Sequence, residues 1–383
     1  MDFAFSAEDE AFRAEAAVWL RAHADPAVDR RAWERTLGAA GWIGLSWPGT
    51  GYGNRSATLT QQVAWAEEYA RCGAPPRSGH IGENLLAPTL FACGTEEQKD
   101  RFLPPIAAGA ELWCQGYSEP GAGSDLAAVR TAAVRDAHGG YRVTGQKIWT
   151  SLAHEADWCF VLARTEPGSR RHQGLSFLLV PMDQPGRIDV RPIRQLTGTS
   201  DFNEVFFDGA HARVEDVVGG EGQGWRVAMN LLGFERGVST LAQQIGFARE
   251  LERVVEVAVE TGAAADPVLR DRLVRLWAEL RTMRWNALRT LGGGGDAGAS
   301  SVAKLLWAGW HQRLGEVAVA VRGAGAAAGP ADWTPSAPYT LDPLQHLFLF
   351  SRADTIYGGS DQVQRTIIAE RVLGLPREPK GVV

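Results

Sequence analysis

Cysteine is scarce in this 383-residue chain: Cys72, Cys93, Cys114 and Cys159 are the only four, and they lie far apart. No Cys-x-x-Cys pair or His/Cys cluster occurs, so no zinc or other metal site is expected. Each thiol is expected to behave as a small buried hydrophobe in a reducing compartment. Long basic runs are also missing, and the net charge is −6. Both facts argue against nucleic acid and against an anionic membrane surface as the main partner. They do not exclude a polyphosphate ligand, which local arginines and helix N-termini can bind inside an acidic protein. Apolar runs are short or broken by charge, so no bilayer span is expected. Met1–Phe5 carries no basic segment followed by an apolar run. That predicts no signal peptide and a cytoplasmic location.

What is present is ordinary for a globular chain: 45% hydrophobic and 22% charged residues, with length for two or three packed units. Residues 1–111 read as helical. Ser6 is a candidate N-cap, followed by Glu8 and Asp9 in the first turn. Leu59–Ala70 has helical spacing, Thr95 and Gln98 form a candidate capping box, and Pro104-Pro105 is expected to interrupt the pattern. Residues 112–215 change period. Val134, Tyr141–Val143, Trp158–Val161, Leu175–Val180, Ile188–Val190 and Val205–Phe207 are short β-rich runs, which predicts a small sandwich- or barrel-like β-domain. The helical period returns in residues 216–383. One long helix is expected from Gly224 to Thr261, and another from Asp266-Pro267 to about Gly292. A third is expected over Ser300–Val321, with two more after Asp342 and Ser360. The fold class is therefore α+β and mostly α: helical bundle, β-domain, helical bundle.

Three glycine-rich stretches stand out. The first runs from Gln115 through Tyr117, Ser118, Gly121, Gly123 and Ser124 to Asp125. The second is Gly145–Ser151, with Lys147, Trp149 and Thr150. The third runs from Tyr357 through Gly358, Gly359 and Ser360 to Gln362 and Arg365. Small polar residues with glycine make loops whose N–H groups can approach a ligand closely. Any one alone is more often a structural turn, Trp149 alone a packed strand residue, and Ser118 or Ser151 alone a solvated hydroxyl.

Together, in this order and spacing, they resemble the acyl-CoA dehydrogenases. The resemblance runs from Ala7-Glu8-Asp9-Glu10 to Leu373-Gly374-Leu375-Pro376-Arg377, and Thr355–Arg371 is especially similar to the actinobacterial branch. It implies FAD-dependent desaturation of an acyl-CoA thioester between Cα and Cβ, with electrons passed to an electron-transferring flavoprotein. It also implies a role in fatty-acid metabolism and a homotetramer or homodimer. A heteromer, an acyl-CoA oxidase and a flavin monooxygenase on the same fold are the alternatives.

Such a reaction needs a base, a hydride acceptor and donors to the thioester oxygen. The resemblance puts Gln115, Tyr117, Ser118, Trp149 and Ser151 at the flavin, and Ser360 and Gln362 at its other contacts. It puts Ser124 near the pyrophosphate and CoA. Many members carry a glutamate directly after the motif tyrosine, where this chain has Gly358. Members similar to isovaleryl- and long-chain-acyl-CoA dehydrogenases instead place it before an arginine on a C-terminal helix, here Glu235-Arg236. Glu235 is the expected base, on an apolar helical face whose desolvation would raise its pKa. Gly358 is expected to be one oxyanion donor through its N–H, the resemblance supplying the second from an FAD ribityl hydroxyl. Arg236 is expected to orient substrate or hold the local structure rather than to react. Two family segments are altered. The Arg-x-x-Phe-Gly region reads Glu260–Asp266, and the Gln-x-x-Gly-Gly turn is represented by Arg322–Gly325.

Overall fold

The computed structural model describes residues 5–137, 139–234, 239–290, 298–329, 339 and 341–377, with backbone only for 239–242. Two compact units emerge. Among the described residues, one comprises Phe5–Arg194 and Ser200–Ser239; the other comprises Gln195–Thr199 and those from Thr240 onward.

The first unit begins with α1 (Ala7–His23), α2 (Arg30–Ala39), α3 (Leu59–Cys72), α4 (Ala87–Cys93) and α5 (Glu96–Ala107). Side chains that satisfy free N–H groups set their starts. Ser6 and Asp9 form a capping box on α1, Thr58 and Gln61 on α3, and Thr95 and Gln98 on α5. An indole cluster holds α1 to α3, with Trp42 and Trp65 stacked at 4.3 Å between ring centroids. The expected break at Pro104-Pro105 does not occur, because both prolines lie inside α5. A helical proline forfeits its own N–H and crowds the carbonyl one turn back. Here the loss falls in the last turn, where the Pro104 and Pro105 carbonyls still accept from Ala108 and Ala110, both at 2.9 Å.

The sheet follows: β1 (Trp113–Gly116), β2 (Ala132–Arg135), β3 (Tyr141–Ser151), β4 (Trp158–Arg164), β5 (Leu175–Pro181), β6 (Ile188–Ile193), β7 (Phe202–Ala212) and β8 (Val217–Val218). Its order is β6-β7-β3-β2-β4-β5-β8, with β1 parallel to β4. Strands β4 and β5 are buried on both faces, so they read as unbroken apolar runs rather than alternating ones. Phe160, Leu162, Phe177 and Leu179 pack with α4, α5 and α6 (Gly224–Phe234). The alternate residues Val161, Ala163, Leu178 and Val180 pack against Val143 of β3 and Val205 of β7. The sheet thus curls so that its two halves share a core.

The second unit carries α7 (Ser239–Glu260), α8 (Pro267–Arg289), α9 (Ala299–Arg322), α10 (Pro343–Ser351) and α11 (Asp361–Ile367). The stretch read as one helix from Gly224 to Thr261 is described as α6 and α7, and residues 235–238 between them lie outside the described residues. Asp266 with Pro267, Asp342 with Pro343, and Ser360 start α8, α10 and α11 as their cap chemistry predicts. Leu251, Val254, Leu276, Leu314 and Leu347 form the bundle core. The Trp310 indole N–H donates to the Leu276 carbonyl at 2.9 Å. No described helix is long and apolar enough to cross a membrane.

Candidate active site

In the first unit, the first two glycine-rich stretches come together on β3. Lys147 is fully buried there, and its ammonium donates to the Tyr117 carbonyl at 3.0 Å, the Leu162 carbonyl at 2.8 Å and Glu119 Oε1 at 2.9 Å. Glu119 in turn accepts from the Arg130 and Thr131 N–H groups at 2.7 and 2.8 Å. Burial pushes the Lys147 pKa down, with Glu119 offsetting part of the effect. Burial pushes the Glu119 carboxyl up, but the Lys147 charge and the bonds at Thr131 and Arg130 hold it net below its ordinary value. The Ile148 N–H also donates to the Ser118 carbonyl at 2.9 Å. A tight turn is closed by reciprocal bonds between Glu119 and Ala122. The loop is therefore fastened to the strand by one buried ion pair and by backbone.

Beyond Lys147 the strand bulges: the pairing of β3 with β7 shifts register between Lys147 and Thr150. Trp149 sits in the bulge at φ 61°, and Leu152 follows at φ 54°. An L-residue in the left-handed region costs about 1–2 kcal/mol. Such strain persists where the surroundings over-determine it, which is a signature of ligand-contact sites. The surroundings are visible here: the Asn203 amide donates to the Thr150 carbonyl at 3.0 Å, and the Leu152 N–H donates to the Asp201 carbonyl at 2.9 Å. The outcome is a tryptophan turned outward, 56% exposed, its ring meeting Phe202 edge-on at 6.3 Å. Gln115, Ser118 and Ser151 are partly exposed, Ser124 is exposed, and Tyr117 is buried.

The second unit holds the third stretch. Gly358 and Gly359 adopt φ 62° and 83°, and Ser360 caps α11 by accepting from the Val363 N–H. The Gln364 amide donates to the Gly358 carbonyl at 3.1 Å. Among the described residues, nothing accepts the Gly358 N–H. A Cβ added at Gly358 would meet only Lys304 Cε, at 3.7 Å. Space therefore does not forbid a glutamate at this position; the left-handed backbone disfavours it. Gln362 is exposed on the first turn of α11. Glu235 and Arg236 lie outside the described residues.

Behind this turn lies a charged group that sequence reasoning missed. His311 of α9 is buried, with Nε2 2.9 Å from Glu250 Oε2 and Nδ1 2.5 Å from Asp354 Oδ2. The Tyr357 hydroxyl donates to Asp354 Oδ1 at 2.6 Å, and the Lys304 ammonium donates to the Asp354 carbonyl. A lone histidine among apolar helix positions carries little signal, since most such residues are packing residues. Lys147 was visible only as one member of the second stretch.

Residues 6–110, 114–210 and 222–373 match the acyl-CoA dehydrogenase N-terminal, middle and C-terminal domains. The chain is 57% identical to acyl-CoA dehydrogenase IpdE1 of Mycobacterium tuberculosis over 355 residues, 92% of this chain and 90% of that protein. It is 56% identical to IpdE1 of Mycolicibacterium smegmatis over 363 residues, with the same 92% and 90% coverage. Among solved structures, the Tcur3481-Tcur3483 steroid ACAD superposes with a TM-score of 0.83 at 29% identity, covering 99% of this chain and 100% of that one. The ChsE4-ChsE5 complex from Mycobacterium tuberculosis gives 0.82 at 31% identity, with 99% and 100% coverage. The chain belongs to the acyl-CoA dehydrogenase family: it is a flavoprotein oxidoreductase acting on CH–CH bonds.

Proposed function

We propose that the enzyme converts an acyl-CoA thioester to its trans-2-enoyl-CoA, with FAD as cofactor and an electron-transferring flavoprotein as acceptor. The carrying observation is Trp149, an exposed indole held in a strained bulge and fastened to the Ser118 loop through Lys147. That is a surface suited to a flat aromatic ligand. Ser118, Gln115, Tyr117, Trp149 and Ser151 would hold the flavin, with Ser360 and Gln362 at its other contacts and Ser124 near the CoA. When bound, FAD supplies the hydride acceptor that no side chain can be. Glu235 is the proposed base for the α-proton. The Gly358 N–H holds the thioester oxygen as negative charge develops there, and Arg236 orients substrate.

The steroid ACAD among the solved relatives supports a bulky, steroid-derived acyl group within the acyl-CoA class. Exposed Val268, Val274, Trp277 and Trp285 along α8 support an oligomer. We propose a homotetramer, with a heteromer as the alternative raised by the paired subunits of the relatives. The proposed division of labour follows 1–111, 112–215 and 216–383, in a cytoplasmic enzyme of acyl-group metabolism.

The test starts from purified protein, expected to be yellow with noncovalent FAD and to bleach with acyl-CoA. Glu235→Gln should keep FAD and slow bleaching by about 10²–10⁴-fold. Near-normal bleaching would remove Glu235 from the role of base. A folded, colourless protein that takes up no FAD would overturn independent flavin binding. Fast reoxidation in air without an acceptor protein would move the reading to an oxidase.

A further inference from the structure

The proposed chemistry leaves one buried charge cluster unused, directly behind the turn that carries Gly358. Both imidazole nitrogens of His311 face carboxylates, Glu250 on α7 and Asp354 beyond α10. Carboxylates only accept, so two such partners require both ring nitrogens to carry protons. Asp354 is 1% exposed and divides its two oxygens between His311 and the Tyr357 hydroxyl. Its carbonyl is taken by Lys304. Tyr357 is the residue before Gly358, and its own N–H donates to the Ala353 carbonyl at 3.1 Å. The segment 353–359 is thus tied at its side chains to α9 and, through His311, to α7. Next to it is a cavity of about 310 Å³ lined by Gln243, Phe247, His311, His346, Asp354 and Tyr357. The turn therefore lacks dense packing on that side and depends on the polar ties.

We propose that His311, bridging Glu250 and Asp354, is a positioning residue: it aims Asp354 at the Tyr357 hydroxyl and thereby holds the Gly358 N–H in place for the thioester oxygen. The inference rests on the role proposed above for Gly358. The titratable groups around His311 are Glu250 from α7, His346 from α10 across the cavity, Asp354 and Tyr357 from the turn, and Lys304 from α9 itself, with Asp361 beyond Lys304. Burial lowers the His311 pKa, but the bonds and charges of Asp354 and Glu250 outweigh it and raise it to about 9. Burial and the Asp354 charge push the Tyr357 hydroxyl well above its ordinary value, so it stays a donor. Phe247 covers one side of the imidazole at 4.4 Å between centroids.

The experiment compares the FAD-loaded protein with His311→Gln, which keeps one donor but loses the second bond and the charge. Two readouts are taken. The first is amide hydrogen exchange over 354–360 without substrate. The second is flavin bleaching, driven by whichever acyl-CoA of a straight-chain and steroid-side-chain panel bleaches the parent fastest. The expected result is faster exchange in that segment and saturating bleaching slowed by about 10–100-fold, the scale for a misplaced group, with half-saturation little changed. The parent rate should also fall as pH rises through about 9, and the variant should lack that limb. Tyr357→Phe, which removes one hydroxyl, should reproduce both effects and keeps the test open if His311→Gln folds poorly. Unchanged exchange overturns the proposal at His311 itself. Raised exchange with unchanged bleaching overturns it at the Gly358 reading on which it rests.

Discussion

Two turns of this enzyme, one in each unit, are held by buried charge, and they are held differently. The Ser118 loop is fastened by Lys147, an ammonium with no exposure that spends its three protons on Glu119 and two carbonyls. The Tyr357–Gly359 turn is fastened by His311, a cation that exists only while two carboxylates keep its proton. The strand bulge next to the first carries an L-residue, Trp149, in the left-handed region; the second turn puts glycine there. One region is thus built for rigidity at the expense of strain. The other is relaxed and depends on a proton. The cofactor face proposed for the first needs only rigidity. The proposed role of the Gly358 N–H, meeting charge as it develops, gains from an adjustable mount.

Removing the fixed charge should have the largest effect. Lys147→Met leaves Glu119 buried without its cation and should destabilise the protein by about 3–5 kcal/mol, read from denaturant midpoints. Adding Glu119→Gln should recover part of the loss. A deficit under about 1 kcal/mol would mean that the pair is not the fastener described.

Next comes pH, where the two devices should fail at opposite ends. The folded pKa of His311 lies above its unfolded value near 6.5, so its contribution is complete below that value and is lost as pH rises through about 9. Glu119 lies below its unfolded value near 4.3, so its contribution is present above that and is lost as pH falls further. The stability deficit of His311→Gln should therefore be about 2–3 kcal/mol at pH 6 and shrink by pH 10. That of Glu119→Gln should persist at pH 6 and shrink by pH 3. Parallel pH profiles for the two variants would erase the distinction.

The smallest effects test the backbone. Trp149→Gly should relieve strain and Gly358→Ala should introduce it, each by about 1 kcal/mol and with opposite sign. Thermal unfolding measures both, and FAD retention should fall only in the first. Equal signs would show that the φ values do not govern these positions.

Much of this was legible beforehand because its causes are local. A hydroxyl or carboxylate followed by the right partner starts a helix wherever it occurs, and Ser6, Thr95, Asp266, Asp342 and Ser360 all do so. Strand runs such as Val205–Phe207 declared themselves by β-branched and aromatic content. The prolines of α5 misled, because a breaker costs little in a final turn and the sequence does not show which turn is final. The fastening charges were illegible for a different reason. Lys147 and Glu119 are 28 residues apart, and His311 and Asp354 are 43 apart. Nothing near a lysine in a strand announces that the strand will curl over it. The glycines of the third stretch could be seen, but not that Asp354, four residues upstream of the first of them, is their tether.

The sheet also dictates an order of manufacture. Strand β1 has its parallel partner in Trp158–Val161, and β5 is flanked by Val217–Val218. A ribosome extends the chain from its N-terminus, so Trp113–Gly116 emerges well before the strand it pairs with exists. The outer side of β5 remains unpaired until β8, the last of the eight strands, has left the exit tunnel. During that interval β5, apolar on both faces, has β4 on one side and no partner yet on the other. Nascent chains halted between Pro181 and Val217 should be the ones that chaperones hold longest.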